Sequence, residues 1–244
     1  MKIDPDLCIG CQNCIPVCPV GAIKETDEGV VVDQKECVEC NTCIRMNACD
    51  NEAFYMPELS WPRILRREFS DPMAIHVSTM GASAIGGRGT AEMKTNDVTN
   101  KYQRGMIGIA LELGRPGSIG ATFRDAEIVT MSLAKLGVDF EEANPLTRLI
   151  ADKKTGKLKE EVLDEKVLSL IVEFLIPTNR IAEIMESLKD VSKKIKTVFS
   201  LCAISRLEED GSNPNLDLLT KLGYSAYPNA KVNIGLGRAC STED

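Results

Sequence analysis

The sequence predicts an α+β protein in two unequal parts, a small cysteine-rich module at the N-terminus and a larger portion built from duplicated β–α–β units. Three observations carry that expectation. Eight of the ten cysteines lie between Cys8 and Cys49. Beyond residue 105 the hydrophobic pattern alternates between short apolar runs of strand type and stretches with helical periodicity. The acidic excess is confined almost wholly to the cysteine-rich end.

The chain has 244 residues, of which 43% are apolar and 5% aromatic, enough to build a core and too apolar for a disordered chain. Residues 1–56 carry four basic and ten acidic side chains, so nearly all of the net charge of −7 sits there. Such a surface argues against nucleic acid as a partner. It suits docking on a positively charged patch of another protein, with plain solvated acids as the alternative reading. Met1-Lys2-Ile3-Asp4-Pro5 runs straight into the first cysteine with no secretory leader. The longest apolar run, Val167 to Ile176, is too short to span a bilayer and contains Glu173. The expectation is a soluble cytoplasmic protein with no membrane segment. In that reducing compartment, clustered cysteines act as metal ligands or redox thiols more often than as disulfides.

The module opens Cys8-Ile9-Gly10-Cys11-Gln12-Asn13-Cys14-Ile15-Pro16-Val17-Cys18-Pro19 and repeats as Cys37-Val38-Glu39-Cys40-Asn41-Thr42-Cys43, with an eighth cysteine at Cys49. Ile3-Asp4 precedes Cys8 as Val32-Asp33 precedes Cys37, and Ala22-Ile23 follows Cys18 as Ala53-Phe54 follows Cys49. A repeat this short reads as one supersecondary unit used twice. Three cysteines at i, i+3 and i+6 can wrap one face of a cube-shaped cluster, and a fourth thiolate must come from elsewhere.

This arrangement resembles the bacterial-type dicluster ferredoxins, in which the fourth cysteine of each run ligates the other cluster. The resemblance covers residues 1–56. It implies two [4Fe–4S] clusters, one on Cys8, Cys11, Cys14 and Cys49 and the other on Cys37, Cys40, Cys43 and Cys18, with Pro19 turning the chain away. The second half departs from the family pattern. Five residues separate Cys43 from Cys49 where the first half has three, and Asp50 stands in place of the proline. A seven-cysteine site with one cubane and one three-iron cluster is therefore a rival for Cys49. Tetrahedral zinc on paired Cys-x₂-Cys dyads is the rival for the whole motif, but zinc sites have no use for three cysteines at successive three-residue steps followed by Cys-Pro.

Residues 57–72 are a linker punctuated by Pro57, Pro62 and Pro72, with a helical turn from Arg63 to Phe69. Trp61, Leu65 and Phe69 are expected to pack the module against the larger portion; the alternative makes Trp61 an anchor for a partner. The rest divides into 73–164 and 165–244. Residues 73–79 read as a strand holding His76, the only histidine, as a structural residue. Next comes a Gly-rich stretch from Gly81 whose residues Arg88, Lys94, Asn96 and Asp97 are candidates for a ligand or partner loop, although it matches no named phosphate motif. Gly105–Leu113 reads as a strand, Gly114–Gly117 as a turn, Thr122–Leu136 as a helix ended by Gly137, and Val138–Phe140 as a strand. Val167–Ile176 is the next strand, then a helix from Thr178 to about Lys194 with Thr178 as N-cap. A strand Thr197–Leu207, a helix Asp217–Leu222 and a strand Lys231–Leu236 complete the chain. Ala110 to Pro116 echoes Ile171 to Pro177, so the expected fold is a duplicated α+β sandwich with a ferredoxin-like (βαββαβ) outline, helices on one face of an antiparallel sheet.

Little else in this portion offers chemistry. Cys202 sits inside a strand and Cys240 near the end. Arg115, Arg124 and Lys94 could hold an acidic ligand but are ordinary surface types, and no nucleophile–base pair emerges from spacing. The leading functional expectation is an electron-carrying subunit, with a redox partner protein or catalytic subunit and a possible homo-oligomer, in anaerobic metabolism. The alternatives are a self-contained iron–sulfur reductase with a ligand in loop 81–105, and a redox-linked regulator whose α+β units bind a metabolite as ACT-like domains do.

Overall fold

The computed structural model describes residues 1–83, 102–115 and 119–226. In the N-terminal module the repeat becomes two interlocked halves. Lys2–Ile3 pairs antiparallel with Phe54–Tyr55, and Ile23–Thr26 forms a hairpin with Gly29–Val32. Backbone hydrogen bonds recur at matching places. Asp4 N–H donates to Ala53 O at 2.8 Å and Asp33 N–H to Ala22 O at 2.7 Å, while Cys8 and Cys37 donate to the carbonyls of Asp4 and Asp33. Each half thus ties its start to the tail end of a cysteine run. The small core between them holds Met1, Ala22, Ile23 and Val30 together with Cys14, Cys37 and Cys43.

The larger unit centres on a four-stranded antiparallel sheet with spatial order Phe199–Ile204, Met106–Leu113, Leu170–Pro177, Asp139–Phe140. In chain order the elements run strand 106–113, helix Phe123–Lys135, strand 139–140, strand 170–177, helix Ile181–Ser192, strand 199–204. The central pair is in register from Leu113 opposite Leu170 to Met106 opposite Pro177. That register puts Ile107, Ile109, Leu111 and Leu113 on the same face as Leu170, Val172, Phe174 and Ile176, all buried. Phe123, Ala126, Val129 and Leu133 of one helix and Ile181, Ile184, Met185 and Leu188 of the other pack in the same core, at i, i+3, i+4 spacing. Thr122 caps the first helix in a box with Asp125, each side chain accepting from the other's backbone, and Gly137 at φ 63° closes it.

A 150–158 hairpin (Ile150–Asp152 with Lys157–Leu158) and a short pair (Ala121–Thr122 with Lys166–Val167) extend this unit. Neither stands out in the sequence, since two- and three-residue strands carry no detectable period.

Several expectations need correction. The predicted boundary at 164/165 does not separate two domains, because strands from either side of it form one sheet over one core. Residues 73–79 are not a strand. Apart from a bridge at Ile75 they turn into the short helix Val77–Met80, with Met73, Ile75 and Val77 exposed and His76 buried edge-on against Phe69 at 4.7 Å. Thr178 does not cap the second helix. Its hydroxyl is engaged with Asn215 at 2.6 Å, residues 178–180 form a 3₁₀ turn, and the α-helix begins at Ile181. The last described helix is Pro214–Lys221, capped by Asn213, and the strand expected at 197–207 is shortened to 199–204. The strand expected at Lys231–Leu236 lies outside the described residues.

The linker is more ordered than its prolines suggest. Its helix Ile64–Ser70 buries Leu65 and Phe69 in the large core, Phe69 meeting Phe123 edge-on at 5.2 Å. Trp61 stays partly exposed, with Lys159 Nζ 5.5 Å above its ring. Phe174 fills the centre of the core and is fully buried. Phe174→Ala should therefore destabilise the protein by about 3–5 kcal/mol, read as a lowered denaturant midpoint of the far-ultraviolet dichroism. A change under about 1 kcal/mol would contradict this packing.

Candidate metal centre

The eight module cysteines separate into two groups in space. One cavity is lined by Cys8, Cys11, Cys14 and Cys49, with Ile3, Val30 and Phe54 among the apolar walls. A second is lined by Cys18, Cys37, Cys40 and Cys43, with Pro19, Val32 and Val38. Three cysteines of each cavity come from one run and the fourth from the other.

Local backbone conformation explains how the runs curl around the cavities. Gly10 and Glu39 occupy the same step of the two runs, both left-handed (φ 70° and 56°), and Gln12 and Asn41 are left-handed one step past the middle cysteine (φ 65° and 58°). Gly21 and Glu52 match three residues after the fourth cysteine (φ 63° and 53°). Non-glycine residues in this region cost on the order of 1–3 kcal/mol each, and their persistence in both halves marks a constrained site. The fourth cysteines are held alike. Ala22 N–H donates to Cys18 Sγ at 3.1 Å and Ala53 N–H to Cys49 Sγ at 3.5 Å. The two extra residues of the second run are taken up by a turn in which Asn47 is left-handed, so Cys49 still reaches the position equivalent to that of Cys18.

The environments differ. Cys11 is exposed, Cys8 and Cys49 are half-buried, and only Cys14 is buried in the first group, whereas Cys37, Cys40 and Cys43 are all buried in the second. Burial pushes the Cys43 thiol up to about 12, helped by the negative charge of Cys40, Cys37 and Cys18. Desolvation likewise raises Cys14 and Cys37, with Cys11, Cys49 and Cys8 adding to Cys14 and Glu39 to Cys37. Four thiolates this close repel one another in a poorly solvated space, and only a positively charged core compensates them. Among the described residues no three His, Cys, Asp or Glu side chains converge on a point fit for a single ion. Four cysteines around each cavity supply the thiolate set that a [4Fe–4S] cluster takes.

Around the second cavity lies a set of polar residues that sequence reading did not single out. Glu39, 3% exposed, is bracketed by the Met1 amino group and by Arg63, whose Nε lies 3.0 Å from Oε1. Asp71, also buried, accepts from Asn41 Nδ2 at 2.6 Å and Arg45 Nη1 at 2.7 Å. Arg66 is buried against the carbonyls of Gln34, Lys35 and Cys37. The available signal was the spacing of Arg63 and Arg66, three apart and off the Leu65–Phe69 stripe.

The remaining candidates do not join the site. Arg88, Lys94, Asn96, Asp97 and Cys240 lie outside the described residues. Arg115 pairs with Glu112 at 3.4 Å and Arg124 with Asp164 at 2.6 Å. Cys202 lies in the edge strand of the sheet opposite Ala110. Among the described residues no helix is long and apolar enough to cross a membrane.

Comparison with known proteins bears on the N-terminal segment. Residues 1–24 match the 4Fe-4S binding domain family. The ferredoxin of Alicyclobacillus acidocaldarius is 59% identical over 39 residues, 16% of this chain and 49% of that protein. Ferredoxin-1 of Rhodobacter capsulatus is 48% identical over 40 residues, 16% and 62% of the two chains. A tetrathionate reductase subunit of Salmonella typhimurium is 46% identical over 55 residues, 21% of each. The chain thus spans between about a fifth and under two thirds of these relatives. No solved structure matches the chain. The N-terminal segment is an iron–sulfur segment of the 4Fe–4S ferredoxin kind, and the remainder is unrecognised.

The unequal thiol environments make a direct prediction for iron-free protein. At about pH 8, limited iodoacetamide should label exposed Cys11 well before Cys43, because the latter is almost entirely protonated at that pH. Peptide mapping by mass spectrometry checks the order, and equal labelling would contradict it.

Proposed function

We propose that this chain is an electron carrier with two [4Fe–4S] clusters that docks to a catalytic oxidoreductase subunit. Cys8, Cys11, Cys14 and Cys49 would hold one cluster and Cys18, Cys37, Cys40 and Cys43 the other. The observation that carries the reading is the grouping of four cysteines at each of two cavities, each group completed by a thiol from the opposite run. Bound clusters of this type supply one-electron transfer. The chain's own residues do the rest. Val30, Phe54, Val32 and Val38 keep water from the sulfurs, and the N–H groups of Ala22 and Ala53 donate to the two crossing ligands.

Docking is supported by the face over the first cavity. Ile9 is 73% exposed beside exposed Cys11, with Leu7 also open, and Asp6, Asp50 and Glu52 lie in the same surface stretches. An apolar spot rimmed by carboxylates suits a partner with an apolar contact and a basic rim. Two matched relatives are named as subunits of larger enzymes, one of tetrathionate reductase and one, from Methanosarcina acetivorans, of an ion-translocating oxidoreductase complex. An oxidoreductase assembly is accordingly the setting we infer, with the α+β unit, whose two strand–helix–strand halves we read as a duplication, fixing the module in it.

Anaerobic purification of the full chain and its Cys18→Ala and Cys49→Ala variants tests the reading. The wild-type protein should carry iron and acid-labile sulfide for two cubanes. Each alanine variant should lose up to half of both, Cys18→Ala at the buried site and Cys49→Ala at the exposed one. Full iron in Cys49→Ala would refute its role as a ligand. Zinc in place of iron would refute the whole assignment.

A further inference from the structure

Arg66 is 6% exposed and sits on the connector, outside both cysteine runs. Its Nη1 donates to Gln34 O at 3.1 Å, Lys35 O at 2.9 Å and Cys37 O at 2.8 Å, and its Nε to Glu165 of the α+β unit. Three carbonyls at the entry to the second cysteine run therefore converge on one buried guanidinium. In a trans peptide the C=O and the following N–H point opposite ways, so holding the Cys37 carbonyl on Arg66 sends the Val38 N–H away from it. Val38 lines the second cavity. Among the described residues the other half has no such cation. Its corresponding stretch, Pro5 to Cys8, receives a side-chain hydrogen bond only from Asn51 among the described residues, a neutral donor at 3.2 Å from Leu7 O.

We propose that Arg66 is a positioning residue that raises the reduction potential at the Cys18, Cys37, Cys40 and Cys43 site above the value its sulfurs alone would set, with Glu165 opposing it. The inference rests on the reading that each site holds a [4Fe–4S] cluster. Reduction adds one negative charge beside Cys37. A buried guanidinium in contact with that residue's peptide favours the added charge, and a carboxylate disfavours it. Glu165 touches Arg66 and not the cysteine run, so the arginine is the nearer charge. The α+β unit thereby has a hold on one cluster and not on the other.

The test is a redox titration of the full-length holoprotein followed by electron paramagnetic resonance, with the wave absent from Cys40→Ala assigned to the second site. Arg66→Gln should lower that potential and leave the other wave in place. Arg66→Lys, which keeps the charge but loses the fork, should restore part of the shift. Glu165→Gln should raise the potential. A purely structural role would move Arg66→Gln and Arg66→Lys alike, or move Arg66→Gln and Glu165→Gln in one direction, and either result overturns the proposal, as does an equal shift of both waves. Should Arg66→Gln fail to assemble, Arg66→Lys and Glu165→Gln still decide by sign. Iron and sulfide are measured first. Fewer than two clusters in the wild-type chain overturns the underlying reading along with this one, whereas two clusters without a selective shift overturn this proposal alone.

Discussion

The structure turns on the seven-residue helix Ile64–Ser70, which faces two ways at once. Leu65 and Phe69, four residues apart, enter the core beneath the large sheet. Arg63 and Arg66, three apart, reach back to Glu39 and to the carbonyls of the second cysteine run. Ser70, fully buried, accepts from the Leu168 N–H at 2.8 Å, and Asp71 takes Asn41 and Arg45 from the module. Lys166 adds a bond to Glu36 across the same seam. Buried charges are tolerated only when paired, and breaking such a pair costs about 3–5 kcal/mol. With Arg63–Glu39, Arg66–Glu165 and Arg45–Asp71 all along one helix, the module has a fixed seat on the α+β unit, unlike a bead on a flexible linker.

That seat makes two chemically similar sites unequal. The internal repeat builds them alike, down to the left-handed residues and the N–H to sulfur contacts of Ala22 and Ala53. The connector then covers only one. Three of its four thiols are buried, and Cys43 is too deprived of water to ionise near neutrality without a compensating cation. Binding of a positively charged core is therefore linked to loss of protons from these buried thiols. At the other site Cys11 remains at the surface beside Ile9.

Much of this was legible in the chain. The cysteine spacing, with the repeated Ile3-Asp4 and Ala22-Ile23 contexts, showed two related runs of three thiols each lacking a fourth, and the resemblance to dicluster ferredoxins implied which thiol crosses over. The capped helix after Thr122 and the buried runs at 106–113 and 170–177 declare themselves by period and length. What escaped was decided by tertiary contact. Residues 73–79 have strand composition, but among the described residues only Ile75 forms a bridge, and His76 is buried against Phe69. Thr178 has the chemistry of a cap, yet Asn215, 37 residues on, claims its hydroxyl. The 164/165 boundary failed because similar halves look like separate domains until their strands pair. Arg66 was legible only through its spacing from Arg63, off the Leu65–Phe69 stripe; the carbonyls that use it lie about 30 residues earlier.

The asymmetry also constrains how the carrier would work under the proposed reading. An electron exchanged with another protein must pass where a partner can approach the sulfurs, and among the described residues Cys11 of the Cys8, Cys11, Cys14 and Cys49 site is the most exposed of the eight thiols. The covered site communicates with outside partners through its neighbour, and with the α+β unit through Arg66 and Glu165. If the Arg66 proposal holds, a buried guanidinium at the covered site and a neutral Asn51 at the open one would bias the pair so that the electron rests on the covered cluster. The α+β unit then need contribute no catalytic residue to matter. By holding Glu165 against Arg66 it sets the depth of that resting place, and any contact that shifted the 165–168 segment would be felt at the sulfurs of the second run.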